Sequence, residues 1–287
     1  MAAARTAGFA RTFSVEGTRP SADEIAQLGK ILISGTEVYV TAVPTAAPEE
    51  TVVAAAALRK AGLEPVVHIA ARRLTGEAQL KDLLARLRGE ADARCLLVIG
   101  GDIDAAGPFA DALTVIQKGR LRDAGIEEIG IGAYPEGHPR ISSGRLEASL
   151  DEKIASASAQ GLRVRIVSQF SFSGERIIAW LKQLRAGGIT NPVKIGLAGP
   201  TSVPALIRYA KRCGVNASLR GLISGAASAL IGNVGPDRIV EALSAAQSEL
   251  GDVHPHYFSF GGLVATATYA HKMAGADIAA PASASSR

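Results

Sequence analysis

Residues 163–197, RVRIVSQFSFSGERIIAWLKQLRAGGITNPVKIGL, contain the unit from which the fold can be deduced. An apolar, β-branched run at Arg163–Phe170 precedes a segment of helical period at Gly174–Ala186, and a second apolar run follows at Val193–Leu197. Gly187 marks the end of the helical segment, because glycine tolerates the backbone conformation in which many helices end. The stretch therefore predicts a strand, a helix and a second strand, which is typical of an α/β fold.

The same unit recurs along the whole chain. Strands are predicted at Thr12–Glu16, Glu37–Ala42, Pro65–Ala70, Cys95–Gly100, Glu128–Ala133, Arg163–Phe170, Val193–Leu197 and Tyr257–Phe260. Helices are predicted at Ala22–Ile33, Pro48–Ala61, Gly76–Arg88, Pro108–Ala124, Leu146–Gln160, Gly174–Ala186, Val203–Cys213 and Gly262–Met273. Eight strand–helix units predict a (β/α)8 TIM barrel. A doubly wound nucleotide-binding sheet is the alternative, but the turn after its first strand is glycine-rich, and residues 16–20 contain one glycine.

One interval is longer than the repeat. Leu219–Leu250 predicts an extra helical pair before the last strand, with GNVGPD at 232–237 as its turn. We expect a single barrel domain at residues 11–278, between disordered Ala- and Ser-rich tails at residues 1–10 and 279–287.

Composition excludes several classes of protein. Hydrophobic residues make up 47% of the 287 residues and charged residues 20%, which is typical of a globular chain. Aromatic residues are 5% and the net charge is +4, so a nucleic-acid surface is not indicated. Cys95 and Cys213 lack the spacing of a disulfide framework or a metal site. Without a long apolar run, we expect no membrane segment and a cytoplasmic protein.

Polar residues cluster where the predicted strands end, which is the active face of a TIM barrel. They are Glu16, Thr41, His68, the GGD of 100–102, the AYPEGHP of 133–139 and the SQF of 168–170. Taken singly, Asp102 could cap a helix and His68 could be a core histidine. Their convergence on one end of the barrel favours a catalytic site.

These motifs resemble those of methylenetetrahydrofolate reductases. Five motifs follow one another in the order and spacing of that family. They are FSVEGTRP at 13–20, GGD, AYPEGHP, SQFSF at 168–172 and HPHYFSF at 254–260. The resemblance runs from Phe13 to His271, and AYPEGHP is its most specific motif. The chain is thus identified as a divergent, bacterial-type member of the family.

The resemblance implies a hydride transfer from NADH or NADPH, through bound FAD, to methylenetetrahydrofolate in one-carbon metabolism. Glu16 would be the general acid that protonates a folate nitrogen, which requires a carboxyl group able to hold a proton near neutrality. Asp102 would stabilise the developing cation and tune the flavin, and Gln169, Phe170 and Phe172 would bind the folate. The implied FAD contacts are Thr41, His68, Gly101, Asp102, Ala110, Tyr134, His138 and Lys153.

The sequence departs from the family pattern mainly in residues that hold the cofactor. GTRP at 17–20 replaces a phenylalanine-proline segment, and Gly100 replaces the arginine that commonly precedes the GD pair. Two alternatives therefore stay open: a flavin-independent reductase with direct hydride transfer, and a folate-binding barrel with another role such as methyl transfer. An aldolase-type barrel would require a Schiff-base lysine or a metal cluster, and neither is evident. Assembly into a homo-oligomer also stays open.

Overall fold

Eight parallel strands close into a barrel in the computed structural model, which describes residues 2–42, 47–215 and 233–275. The strands are β1 (Ser14–Gly17), β2 (Glu37–Val40), β3 (Glu64–Ala70), β4 (Cys95–Ile99), β5 (Glu128–Ala133), β6 (Arg163–Ser168), β7 (Val193–Ala198), β8 (Thr201–Ser202), β9 (Asn233–Val234) and β10 (Val253–Phe258). All except β8 and β9 belong to the barrel, and β1 closes it against β10. The predicted (β/α)8 barrel is confirmed.

Helices alternate with the barrel strands. They are α1 (Ala2–Ala10), α2 (Ala22–Ile31), α3 (Pro48–Lys60), α4 (Glu77–Ala91), α5 (Ala112–Lys118), α6 (Ser143–Ser158), α7 (Gly174–Ala186), α8 (Val203–Cys213), α9 (Asp237–Leu250) and α10 (Leu263–Met273). Ser21 begins α2 in a capping box with Glu24, and Gly214 ends α8 at a φ of +72°. None of the helices in the described ranges is both long and apolar enough to cross a membrane.

The amino-terminal residues differ from the expectation. Residues 1–10 were expected to be a disordered tail, but Ala2–Ala10 form α1, which packs against α9. Alanine has the highest helix propensity of all residues, and Phe9 and Ala10 are buried, so the segment gains a packed apolar face. The expected disordered tail at 279–287 lies outside the described residues.

The last part of the barrel also differs from the expectation. The eighth barrel strand begins at Val253 rather than at Tyr257, and it pairs with β7 along its whole length, including Pro255. Of the expected extra helical pair, α9 is present, whereas residues 219–232 lie in the undescribed range 216–232. Residues 233–234, expected in a turn, form β9 and pair with β8.

The amino-terminal end of the barrel is closed by buried charges. Arg165 on β6 donates hydrogen bonds to Glu37 on β2 and to Glu128 on β5. Lys194 Nζ on β7 lies 3.1 Å from Glu37 Oε2. Burial raises the pKa of Glu37, but Lys194 and Arg165 outweigh it and lower the pKa overall. Above these charges, Tyr39, Val66, Cys95, Leu97 and Val167 form an apolar layer. Charged and apolar side chains thus occupy the barrel interior at this end.

We predict that Glu37→Gln destabilises the protein strongly. The substitution removes the negative charge that compensates the buried cations of Arg165 and Lys194. This loss should lower the free energy of unfolding by about 3–5 kcal/mol. Urea denaturation measures this change. Glu249→Gln, which breaks an exposed ion pair with Lys182, is the matched control and should leave stability nearly unchanged. Equal losses in the two variants would contradict a stabilising role for the buried cluster.

Candidate active site

Glu16 lies inside the barrel at the carboxyl end of β1. Side chains alternate along a strand, so Ser14 and Glu16 share the face opposite to Val15. Glu16 is only 7% exposed. Its backbone carbonyl accepts hydrogen bonds from the backbone and side chain of Ser259, which follows β10. The position of this carboxylate is therefore set by both strands at the closure of the barrel.

Two imidazoles contact the same oxygen of Glu16. His68 Nε2 on β3 and His256 Nε2 on β10 each lie 3.2 Å from Glu16 Oε2. The contact with His256 has hydrogen-bond geometry, whereas His68 Nε2 makes no hydrogen bond within the described part of the chain. His256 Nδ1 in turn lies 2.9 Å from Ser14 Oγ. The four side chains form one buried polar cluster at the active face.

The cluster favours the ionised form of Glu16. Burial raises the pKa of Glu16, but the neighbouring His68 and His256 outweigh it and lower the pKa from 4.5 to about 2. Burial lowers the pKa of His256, although its contact with Glu16 acts in the opposite direction. The sequence led us to expect a carboxyl group that holds a proton near neutrality. The cluster does not favour that protonated form, because two imidazoles stabilise the carboxylate.

Asp102 lies at the rim rather than in this cluster. It follows β4, its side chain is 59% exposed, and its Oδ1 lies 2.5 Å from Arg73 Nη2. This hydrogen bond lowers the pKa of Asp102. Next to Arg73, Arg72 Nε donates to the carbonyl of Ala110 at 2.8 Å. Two arginines of the turn after β3 therefore hold the loop that follows β4, including Gly101 at a φ of +96°.

An aromatic cluster begins beside Glu16, whose backbone partner on β10 is Phe258. Phe170 packs edge-on against Phe172, Phe258 and Phe260, and Tyr209 of α8 stacks on Phe260 with ring centroids 4.0 Å apart. The expected folate contacts Phe170 and Phe172 are thus brought together. The Gln169 side chain instead accepts a hydrogen bond from the backbone N–H of Phe170 at 3.1 Å.

The remaining expected cofactor contacts lie along the rim from β2 to β6. Thr41 Oγ1 donates to Thr18 Oγ1 at 3.0 Å. Tyr134 and His138 pack edge-on with ring centroids 5.1 Å apart. Lys153 Nζ on α6 lies 3.4 Å from the carbonyl of Gly132, and burial lowers the pKa of this amine.

Sequence reasoning missed His256, Ser14 and Arg73. The signal for His256 was present, because His254, His256 and Phe258 alternate in a strand that begins at Val253. Ser14 shares the face of Glu16 by the same alternation. Arg73 carries no such signal, since its contact with Asp102 joins two different loops.

The fold and the buried carboxylate–imidazole cluster define a TIM-barrel protein with acid–base groups at the carboxyl end of its strands. A family model described as methylenetetrahydrofolate reductase matches residues 14–220. The chain belongs to the methylenetetrahydrofolate reductase family, which places it among the folate-related oxidoreductases. The matched range contains Glu16, His68, Asp102 and the aromatic pair Phe170 and Phe172.

Solved structures are similar to this chain at low identity. Dihydropteroate synthase from Thermus thermophilus has a TM-score of 0.50 and 14% identity, over 92% of this chain and 91% of that one. A conserved Enterococcus faecalis protein of unknown function has a TM-score of 0.46 and 10% identity, over 91% of this chain and 65% of that one. The first similarity supports the barrel fold and nothing finer.

We predict that Glu16 makes stability depend on pH. Since the pKa is lowered from 4.5 to about 2 on folding, its stabilising effect is complete above 4.5 and is lost as the pH falls toward 2. Urea denaturation between about pH 6 and pH 3 should therefore show a smaller loss of stability for Glu16→Gln than for the wild type. Glu249→Gln, at an exposed position, should follow the wild type. If the free energy of unfolding of Glu16→Gln fell with pH as steeply as that of the wild type, this effect would be excluded.

Proposed function

We propose that the protein interconverts methylenetetrahydrofolate and methyltetrahydrofolate, with NADH or NADPH as hydride donor. The observation that carries the proposal is the buried Glu16 carboxylate, held between two imidazoles at the open end of the barrel. Reduction of the methylene bridge requires a proton at a folate nitrogen before the hydride arrives at the carbon. Membership of the family supports the same reaction class.

Glu16 delivers this proton from its buried position at the open end of the barrel. The two imidazoles favour the carboxylate form, so a proton must reach Glu16 before it can act as the acid. A neighbouring group on β3 is His68, whose Nε2 lies 3.2 Å from Glu16 Oε2. Folate binding also removes water from the site, which favours the neutral pair over the ion pair.

The aromatic cluster binds the pterin ring. Phe258 is the backbone partner of Glu16, and Phe172 and Phe258 pack edge-on against the buried Phe170. Stacked or edge-on packing of this kind suits a flat heterocycle. Gln169 lies at the same strand end and offers an amide to the pterin edge once it leaves its contact with Phe170. Asp102, at the rim, stabilises positive charge on the reacting folate.

The rim also suits a flavin. A Cβ placed on Gly132 would meet no atom of the described residues within 4 Å, so the top of the lumen has free space beside β5. FAD would be held around this space by the eight expected contact residues, namely Thr41, His68, Gly101, Asp102, Ala110, Tyr134, His138 and Lys153. A bound flavin would supply the relay of hydride between the nicotinamide and the folate. The basic side chains of Lys153 and Arg72 suit its phosphates.

One observation favours the flavin-independent alternative. Asp102 and Thr41 already have partners within the protein, namely Arg73 and Thr18. A rim whose polar groups pair with one another has less need of a permanent cofactor, and direct hydride transfer from nicotinamide to folate then remains open.

The experiment is an anaerobic assay of the purified protein with NADH, NADPH and methylenetetrahydrofolate, together with its absorbance spectrum. We expect methyltetrahydrofolate to form, and a bound flavin to absorb near about 450 nm. A colourless protein that forms methyltetrahydrofolate would support direct transfer and exclude FAD. Failure to form it with either nucleotide would contradict the proposed function.

We predict that Glu16→Gln abolishes folate turnover. Loss of the proton donor should lower kcat by about 10²–10⁴-fold, while any reduction of bound flavin by the nicotinamide stays within about twofold of the wild type. Stopped-flow measurement of the two half-reactions separates these effects, and Glu249→Gln serves as the control. Equal loss of both half-reactions would refute the assignment of Glu16 as the folate acid.

A further inference from the structure

His256 has no role in the chemistry described so far, yet it is the most enclosed member of the cluster around Glu16. Its side chain is 0% exposed, and it lies on β10, across the closure of the barrel from Glu16. Both ring nitrogens have a partner on β1: Nε2 contacts Glu16 Oε2 at 3.2 Å and Nδ1 contacts Ser14 Oγ at 2.9 Å. A buried histidine with two polar partners on one strand is specifically oriented.

We infer that His256 is a positioning residue for Glu16, held by Ser14 in the tautomer that carries its proton on Nε2. This inference rests on the proposed function, because the carboxylate that it positions is the proposed folate acid.

The hydrogen-bond inventory of the three groups supports this assignment. An ionised carboxylate only accepts hydrogen bonds, so Nε2 of a neutral His256 must carry the hydrogen that it donates to Glu16. Nδ1 is then a bare acceptor, and the Ser14 hydroxyl supplies the hydrogen that it needs. The chain runs from Ser14 through His256 to Glu16. Because the hydroxyl can also accept, the same three groups remain paired when Glu16 takes up a proton, with every donor and acceptor direction reversed.

The groups packed around the imidazole are compatible with its neutral state. The Tyr39 ring on β2 lies 4.4 Å from it between centroids, and the Phe258 ring lies 5.1 Å away. The charged or titratable neighbours are Glu16, His68 on β3 and Lys194 on β7, and the two basic groups oppose a second proton on His256. Burial in this mainly aromatic surrounding lowers the pKa of His256 as well.

The positioning has a geometric consequence for catalysis. Among the described residues, His68 Nε2 lies near Glu16 Oε2 but makes no hydrogen bond. The hydrogen bond to this oxygen therefore comes from His256. Without it, the carboxyl group could rotate about its side-chain torsions in the space left at the lumen. Misplacement of a catalytic group by about 1 Å can cost about 100-fold in rate.

Two substitutions separate positioning from packing. His256→Gln retains an N–H at the place of Nε2, whereas His256→Asn retains one at the place of Nδ1 and does not reach Glu16. We expect His256→Asn to lower kcat for methylenetetrahydrofolate reduction by about 100-fold with little change in KM, and His256→Gln to stay within about fivefold of the wild type. Equal losses in the two variants would overturn the inference.

A second measurement does not depend on activity, and so remains decisive if the proposed function fails. ¹⁵N NMR of protein labelled at its five histidines reports which ring nitrogens carry a proton. For His256 at neutral pH we expect a protonated Nε2 and a bare Nδ1, and we expect Ser14→Ala to shift the Nδ1 resonance. A protonated Nδ1, a doubly protonated ring, or a signal that does not respond to Ser14→Ala would overturn the inference. Absence of folate turnover with the expected spectrum would contradict only the proposed function.

Discussion

A negative charge buried in the barrel lumen needs partners, and the structure of the active face follows from how Glu16 obtains them. An unpaired carboxylate at 7% exposure would be strongly unfavourable. The partners come from β3 and β10, so three strands must be in register before the site exists. This requirement links closure of the barrel to formation of the acid–base cluster, because His256 and Glu16 lie on the first and last strands of the barrel, which pair to close it.

The same constraint explains why the lumen has two charged levels with an apolar layer between them. At the amino-terminal end, Glu37 is balanced by Arg165 and Lys194. At the other end, Glu16 lies between two imidazoles instead of fixed cations. Fixed cations stabilise the first level permanently. The second level has imidazole partners, which can donate or accept hydrogen bonds and so suit an acid–base site.

The number and order of the strands were predictable because hydrophobic period and glycine punctuation are local signals. Glu16 and His68 were predictable as site residues for the same reason, since both lie on recognisable strand ends. His256 was missed because the last strand was expected to begin at Tyr257, and Arg73 because an ion pair between two loops has no local pattern. The helix α1 was missed because its stability comes from packing on α9 rather than from its own sequence alone.

The departures from the family pattern have a structural counterpart at the rim. Where the family has an arginine before the GD pair, this chain has Gly100, and Arg73 reaches Asp102 from the neighbouring turn instead. The acid–base centre and the aromatic cluster lie inside this altered rim. A crystal structure of the protein with bound methyltetrahydrofolate tests the account most directly. We predict a pterin ring against Phe170 and Phe258 with a folate nitrogen within hydrogen-bond distance of Glu16, whereas an ordered pterin remote from Glu16 would contradict it.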